Sequence, residues 1–402
     1  MHGTSAGNTT ADSSTETASN VWIERLRIRP GSKIPQRPWI AKGLLLSKCV
    51  TELIAATAVG KSSFGLAFAM HLAAGRNFGR FFINERYRVA IFSVEEDDDE
   101  VDRRCVAIAK RYGFDYDKDL SGHFFRVRFR SDDNYVLARA DKKGVVRATA
   151  NFKELEKHIS AKGINVAIID PFVEVWEGDE NDNGQIKQAA GLIRGLARNL
   201  EIGCLLMHHV KKGAVDPGDI DAGRGGSSLG GLVRLAFTLT GMTAEQAKSL
   251  NITDEDLRRS VVRLDNAKVS YLPKSSETDW FRFESIEIGN GNQENPEGDS
   301  AGVLVPWKPP GLFADISPHK IATALDRIAA GLEDGRLFSL HKQAKQRWAG
   351  QVLVEEFGWT EEAAGLGLKV WEESGLVHEC EYTNTKKGQP EKGLKVDDSK
   401  RP

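Results

Sequence analysis

Three groups of residues in this chain have the types and spacing for chemistry on a polyphosphate. The first is Ala55-Ala56-Thr57-Ala58-Val59-Gly60-Lys61-Ser62, followed by Ser63. It carries most of the pattern G-x-x-x-x-G-K-[ST], in which backbone N–H groups of a tight loop and the positive end of the next helix hold phosphate oxygens. In that pattern Lys61 reaches the β- and γ-phosphates of ATP, and the Ser62 hydroxyl sits on Mg2+. Ala55 stands where the first glycine belongs. Alanine takes a positive φ less readily than glycine, so the loop entrance is expected to use an ordinary backbone conformation.

The second group is a pair of carboxylates at strand ends. Asn165 to Asp170 is an apolar run closed by Asp170 and followed by Pro171. Ligands of α/β sheets bind beyond the carboxyl ends of strands, so Asp170 is expected to hold Mg2+ opposite Ser62. Glu95 is the first residue off the run Arg88 to Val94 and is aimed to polarise the water that attacks the γ-phosphorus. Glu96, Asp97, Asp98 and Asp99 crowd it, some of them as a solvated acidic loop. The third group is His208 and His209 at the end of the run that starts at Gly203. A histidine there bonds the γ-phosphate or its water and reports its loss; a buried histidine satisfied by backbone is the alternative. Adjacent histidines lack the i, i+4 spacing of a helical zinc pair. The stretch from Lys211 to Gly226 reads as a long flexible loop whose cations grip a nucleic-acid backbone or reach a neighbour's ATP. Arg224, Arg234 and Lys268 are the candidates for the latter role.

These residues need a scaffold, and the pattern supplies one. Val50, Leu53 and Ile54 lead into the phosphate loop as a strand, and Phe64, Ala67, Phe68, His71 and Leu72 follow at helical spacing until Gly75. Further strands read at 88–94, 165–170, 203–208, 260–264 and 268–271, with a short one at 21–29. Helices read at 101–112, 152–162 and 185–200, and residues 130–150 read as loop or a small insertion. The turn Glu177 to Asn183 reads as an N-cap for the helix from Gln185. Strands alternating with helices of this length predict an α/β fold with a mainly parallel twisted sheet. Residues 1–20 read as a disordered tail. A Gly/Asn/Glu/Pro-rich linker is expected at 291–311, and residues 397–402 as a frayed end. Between them, 312–396 reads as helices at 340–357 and 360–374 joined by Gly358, then a hairpin, which is a winged-helix-like pattern.

Composition sets the outer limits. With 402 residues, 40% hydrophobic and 28% charged, the chain is of globular type, and a net charge of −2 gives no global basic field. Any nucleic-acid contact must be local. Cys49, Cys105, Cys204 and Cys380 form no C-x-x-C pair, which argues against zinc and disulfides and fits a reducing cytoplasm. No apolar run approaches a membrane span.

Taken together, Gly60-Lys61-Ser62, Glu95, Ile168-Ile169-Asp170-Pro171, Glu180-Asn181-Asp182-Asn183, His208-His209-Val210-Lys211-Lys212, Arg224-Gly225-Gly226-Ser227-Ser228, Arg234 and Lys268-Val269-Ser270-Tyr271 resemble the RecA-fold ATPase domain of RepA-type hexameric replicative helicases of plasmids. The resemblance covers about residues 35–290 and implies a RecA-like P-loop core over 21–290. It implies a homo-oligomeric ring, a hexamer, with ATP and Mg2+ at each interface and single-stranded DNA as partner. It makes Lys61 and Ser62 the phosphate and metal residues, Glu95 the catalytic carboxylate, Asp170 the magnesium carboxylate, His209 the sensor, and Arg234 or Arg224 the finger that reaches the adjacent site. Ala55 and the extra glycine at 225–226 depart from the pattern, and 312–396 lies outside it. The alternative is an ATP-dependent regulator or loader of a mobile element whose winged helix binds duplex DNA or a protein.

Overall fold

A computed structural model describes residues 25–129, 135–210, 216–223, 226–273, 278–384 and 388–401. The expected tail, the loop cations Lys211, Lys212 and Arg224, and the hairpin tip at Lys386 and Lys387 lie outside them. The chain divides into two units, 1–37 and 38–402. In the first, residues 25–37 hold one 3-10 turn, Gly31–Lys33, with Leu26 and Ile28 exposed. Residues 25–29 form no strand, contrary to expectation, and 21–24 are outside the described residues.

The second unit starts with β1 (Trp39–Ala41), β2 (Leu45–Leu46), β3 (Val50–Ala55), α1 (Lys61–Ala74), β4 (Val89–Ser93), α2 (Asp98–Tyr112) and β5 (Phe124–Arg126). It continues through β6 (Ala138–Ala140), β7 (Val146–Ala148), α3 (Ala150–Lys162), β8 (Val166–Asp170), β9 (Trp176–Glu177), α4 (Asn183–Asn199) and β10 (Gly203–His209). Then come α5 (Gly226–Leu232), β11 (Leu235–Gly241), α6 (Ala244–Ser249), α7 (Glu255–Ser260), β12 (Val261–Val269), β13 (Asp279–Glu287) and β14 (Ser300–Trp307). The last part holds α8 (Pro318–Ala330), α9 (Gly350–Phe357), α10 (Glu361–Glu373), β15 (Val377–Thr383) and β16 (Pro390–Val396).

The central sheet runs β14-β13-β12-β11-β3-β10-β8-β4-β5. From β11 to β5 every pair is parallel, and β12 to β14 add antiparallel. This is the α/β, mainly parallel class expected from the pattern. All residues of β3 and β8 are buried, as continuous apolar strands covered on both faces must be. One face carries α1 and α2 over a core with Phe64, Phe68, Phe78 and Phe281; the other carries α3 and α4 over Phe152, Ile169, Ile193 and Leu206. The helices begin where the sequence offers caps. Asp97 caps α2, Thr149 caps α3, and Asp182 caps α4 by accepting from the Gly184 and Gln185 N–H groups at 2.8 and 3.2 Å, as the acidic turn suggested. The chain leaves β3 toward β4 and later fills both sides of β3 with β10 and β11. That reversal of order opens a crevice at the carboxyl edge.

Several expectations fail, each for a local reason. Residues 291–311 are not simply a linker: the glycine- and asparagine-rich stretch is a hairpin turn, and β14 follows it with Val303, Leu304 and Val305 buried. The two strands expected at 260–264 and 268–271 are one strand, β12. The stretch 130–150 holds β6 and β7, which join β9 in a three-stranded sheet. The helix expected over 340–357 breaks at Lys345, whose φ is +52°, leaving a 3-10 stretch at Lys342–Arg347 before α9. The end is not frayed: Asp398–Lys400 form a 3-10 turn, and Arg401 pairs with Asp326 of α8 at 2.7 Å. In this last part α8, α9, α10 and the β15–β16 hairpin enclose their own core around Leu325, Trp348, Leu353, Leu368, Trp371 and Leu394. Gly358 joins α9 to α10 in the left-handed region, and the Thr360 hydroxyl donates to the Lys248 carbonyl at 2.9 Å. Among the described residues no helix is long and apolar enough to cross a membrane.

The placement of β14 has a direct consequence. A chain ending at residue 290 is expected to aggregate or to melt well below a chain ending at 311, as read by circular dichroism. Equal melting temperatures would put β14 outside the cooperative core.

Candidate active site

Four strands deliver the candidate residues to one edge. Ala55 ends β3, His209 ends β10 beside it, Asp170 ends β8 next in line, and Ser93 of β4 pairs with Asp170. The Val94 N–H donates to the Asp170 carbonyl at 3.2 Å, which places Glu95 one residue beyond that edge.

The loop between β3 and α1 is built from a few backbone choices. Ala55 remains a strand residue, so the missing glycine is accommodated by ordinary geometry, as expected. The strain falls elsewhere: Ala58 has φ +63° and Gly60 has φ +106°. For alanine the left-handed region costs about 1–2 kcal/mol, and Gly60 avoids that cost. A Cβ on Gly60 would also lie 2.3 Å from the Phe283 ring of β13, so the antiparallel extension of the sheet presses on the loop. Gly60 precedes α1 without any side-chain cap, and no acidic residue occupies the first turn. The first N–H groups of a 14-residue helix are thus left for an anion.

Lys61 and Asp170 meet directly. The Lys61 ammonium donates to Asp170 Oδ1, and both side chains are only 5% exposed. Each charge is out of water and is balanced by the other. Ser62 and Ser63 are half-buried on the next positions of α1. These residues fit a magnesium–nucleotide complex: uncapped amides and an ammonium suit phosphate, and a hydroxyl and a carboxylate are the hard oxygen donors that Mg2+ takes.

The acidic cluster after β4 sorts itself. Asp97 caps α2, Glu96 pairs with Arg104 at 2.8 Å, and Asp98 pairs with Arg126 at 2.6 Å. Glu95 instead faces His209, whose Nε2 lies 3.3 Å from Glu95 Oε1. Glu95 is 43% exposed, open to a water, and His209 is 18% exposed. Nδ1 of His209 is buried with no partner among the described residues. His208 points into the core beneath, its ring 6.0 Å from that of Phe172.

The remaining candidates do not join this group within the protomer. Arg234 is exposed just before β11, at the end of the sheet near Cys49 and far along β3 from Ala55. Lys268 pairs in register with Ala236, level with Glu52, and its ammonium donates to the Gly230 carbonyl at 2.5 Å. Arg224 lies outside the described residues. Residues that pattern reading passed over include Phe283 and Glu52. Only Glu52 carried a signal, as a carboxylate inside an apolar strand.

Removing one member of a buried pair leaves the other charge unbalanced. Lys61→Met is therefore expected to destabilise the protein by about 3 kcal/mol in urea unfolding, and Asp170→Asn added to it should recover most of that loss. Additive losses in the double variant would contradict the pairing.

Comparison with family models agrees with this geometry. Residues 15–215, half of the chain, match the family described as AAA domain (AAA_25). Among solved structures, a KaiC-like protein from the hyperthermophilic archaeon Pyrococcus horikoshii OT3 is similar at 15% identity, over 67% of this chain and 94% of that one, with a TM-score of 0.40. Comparison with curated proteins gave no match. With the family match over the phosphate loop and all four strand ends, the chain belongs to the AAA domain family and is a P-loop ATPase with a RecA-like α/β core.

Proposed function

We propose that this ATPase is a motor on single-stranded DNA, working as a homo-oligomeric ring in the manner of RepA-type helicases. The observation that carries the reading is the contact between Glu95 and His209 at the end of β10. His209 is followed within two residues by the segment that bears Lys211, Lys212 and Arg224. A change at the terminal phosphate is thereby one strand end away from a glycine-rich segment whose Lys211, Lys212 and Arg224 suit a phosphate backbone, with Asp216, Asp219 and Asp221 balancing their charge.

The roles follow from position. Lys61 and the amides at the start of α1 hold the β- and γ-phosphates. Ser62 and Asp170 would hold Mg2+, which neutralises phosphate charge when bound. Glu95 orients the attacking water and takes its proton. His209 exchanges its contact with Glu95 for one with the terminal phosphate or its water. Arg234, exposed at the far end of the sheet, is the cation best placed to serve a neighbouring subunit, with Arg224 as the other candidate.

A second reading, a regulator or loader acting through a winged-helix module at 312–396, is favoured by one observation. The exposed face of α10 carries Glu361, Glu362, Glu372 and Glu373 against Lys369 and against Lys342, which pairs with Glu361 at 2.6 Å, together with exposed Leu366 and Val370. Such a face repels a phosphate backbone and suits a protein partner.

ATP turnover measured with no DNA, with single-stranded DNA and with duplex separates these readings. The motor reading expects single-stranded DNA to raise turnover and gel filtration to show a ring. A DNA-indifferent monomer would rule it out. Glu95→Gln is expected to lower kcat by about 10²–10⁴-fold while nucleotide affinity is retained; unchanged kcat would remove Glu95 from the chemistry.

A further inference from the structure

The central strand β3 holds a carboxyl that the ATPase chemistry does not use. Glu52 is fully buried, and among the described residues neither of its oxygens has a hydrogen-bond partner. Strand alternation fixes where it points. Leu53 and Ala55 face the α1 core and Val50 faces the α4 core, so Glu52 shares the face of Val50. Its neighbours in register are Leu206 of β10 and Ala236 of β11, both part of that second core. A carboxyl held dry among such residues is strongly disfavoured as an anion.

What covers it is the foot of the loop that follows His209. Val210 and Gly223 form an isolated bridge that closes this foot. A Cβ at Gly223 would lie 3.1 Å from the His208 ring and 3.4 Å from Glu52 Oε1, so Gly223 faces both side chains at close range. The titratable groups facing Glu52 are His208 on β10 and Lys268 on β12; β11 contributes Ala236 and Thr238, and the Thr238 hydroxyl accepts from the Gly218 N–H at 2.8 Å. Lys268 is the cation that acts on Glu52, yet its ammonium is spent on the Gly230 carbonyl of α5. Gly230 in turn packs on Ile220, where an added Cβ would lie 2.9 Å from the Ile220 side chain. The loop foot, α5 and Lys268 are therefore one assembly resting on Glu52.

We propose that Glu52 is a positioning residue for the ATPase site: uncharged, it lets the Val210–Gly223 foot and α5 seat on the sheet beside His209, and ionised, it draws Lys268 away from Gly230 and unseats them. The step is one proton leaving the carboxyl for solvent and one ammonium exchanging a carbonyl acceptor for a carboxylate. Burial raises the Glu52 pKa to about 8, with Lys268 pulling the other way. The seated form belongs to the low-pH side.

The test is the pH dependence of ATP turnover in the full chain. Turnover of the unmodified protein is expected to fall as pH rises through about 8, by up to about tenfold between pH 7 and 9, as the protonated fraction drops. Glu52→Gln, which mimics the uncharged acid, is expected to lack that fall, and Lys268→Met, which removes the ammonium that the switch moves, to lack it as well. Hydrogen-exchange protection of residues 226–232 should drop over the same interval in the unmodified protein and not in Glu52→Gln. A purely structural Glu52 has a different signature. Its pKa in the folded chain lies above its unfolded value, so stability declines as pH rises from the ordinary glutamate range to about 8, and Glu52→Gln would gain melting temperature progressively over that range. That gain with an unaltered turnover profile and unaltered protection overturns the proposal. Loss of the fall in both Glu52→Gln and Lys268→Met supports it.

Discussion

A lysine and an aspartate 109 residues apart in sequence are buried against each other at the carboxyl edge of the sheet, and the rest of the structure serves to keep them there. Neither charge is tolerable alone at 5% exposure. Holding both requires β3, the loop and the start of α1 to keep a fixed register with β8, and β10 lies between those strands to set it. The same two groups are the cation and the hard oxygen donor that a magnesium nucleotide requires, so the fold presents them already charged and already dry. The family match over this edge gives that arrangement its chemical meaning.

The support around the pair is layered. Phe283 of β13, in the extension of the sheet beyond β12, presses on Gly60 and fixes the loop from outside. That strand is held in turn by β14, with Val303 and Leu304 fully buried. On the other side, arginines and a helix cap take up the acids that follow β4, so that Glu95 faces His209 while Glu96, Asp97 and Asp98 do not. Glu52 and Lys268 tie the foot of the adjacent loop to the middle of the sheet. The site is thus bounded by elements from both ends of the ATPase core.

Much of this was legible in the residues, and the remainder was not for identifiable reasons. The strands ending at Ala55, Asp170 and His209 read clearly because buried parallel strands are apolar on both faces, and the turns beyond them carry the polar chemistry. Asp182 read as a cap because a short polar side chain before a helical stripe has few other uses. β14 escaped because Gly289 to Pro296 has a linker's composition, and the strand after it includes Gly302 and Pro306, which strand propensity disfavours; Gly302 leaves room for the Phe283 ring beside it. The break at Lys345 carries no glycine or proline to announce it. Arg234 and Lys268 were read as cations for a neighbour's ATP, and strand direction places both away from this protomer's loop, a position that sequence spacing does not encode. Glu52 was hidden by its neighbours, since one carboxylate does not alter the apolar reading of a strand.

The central claim is that a magnesium nucleotide binds at the start of α1, held by Lys61 and opposed by Asp170. Calorimetric titration of Mg-ATP into the full-length protein and into Lys61→Met tests it most directly. The account predicts saturable heat at one site per chain in the unmodified protein and its loss in the variant. No heat from the unmodified protein, or equal binding by both, would contradict it.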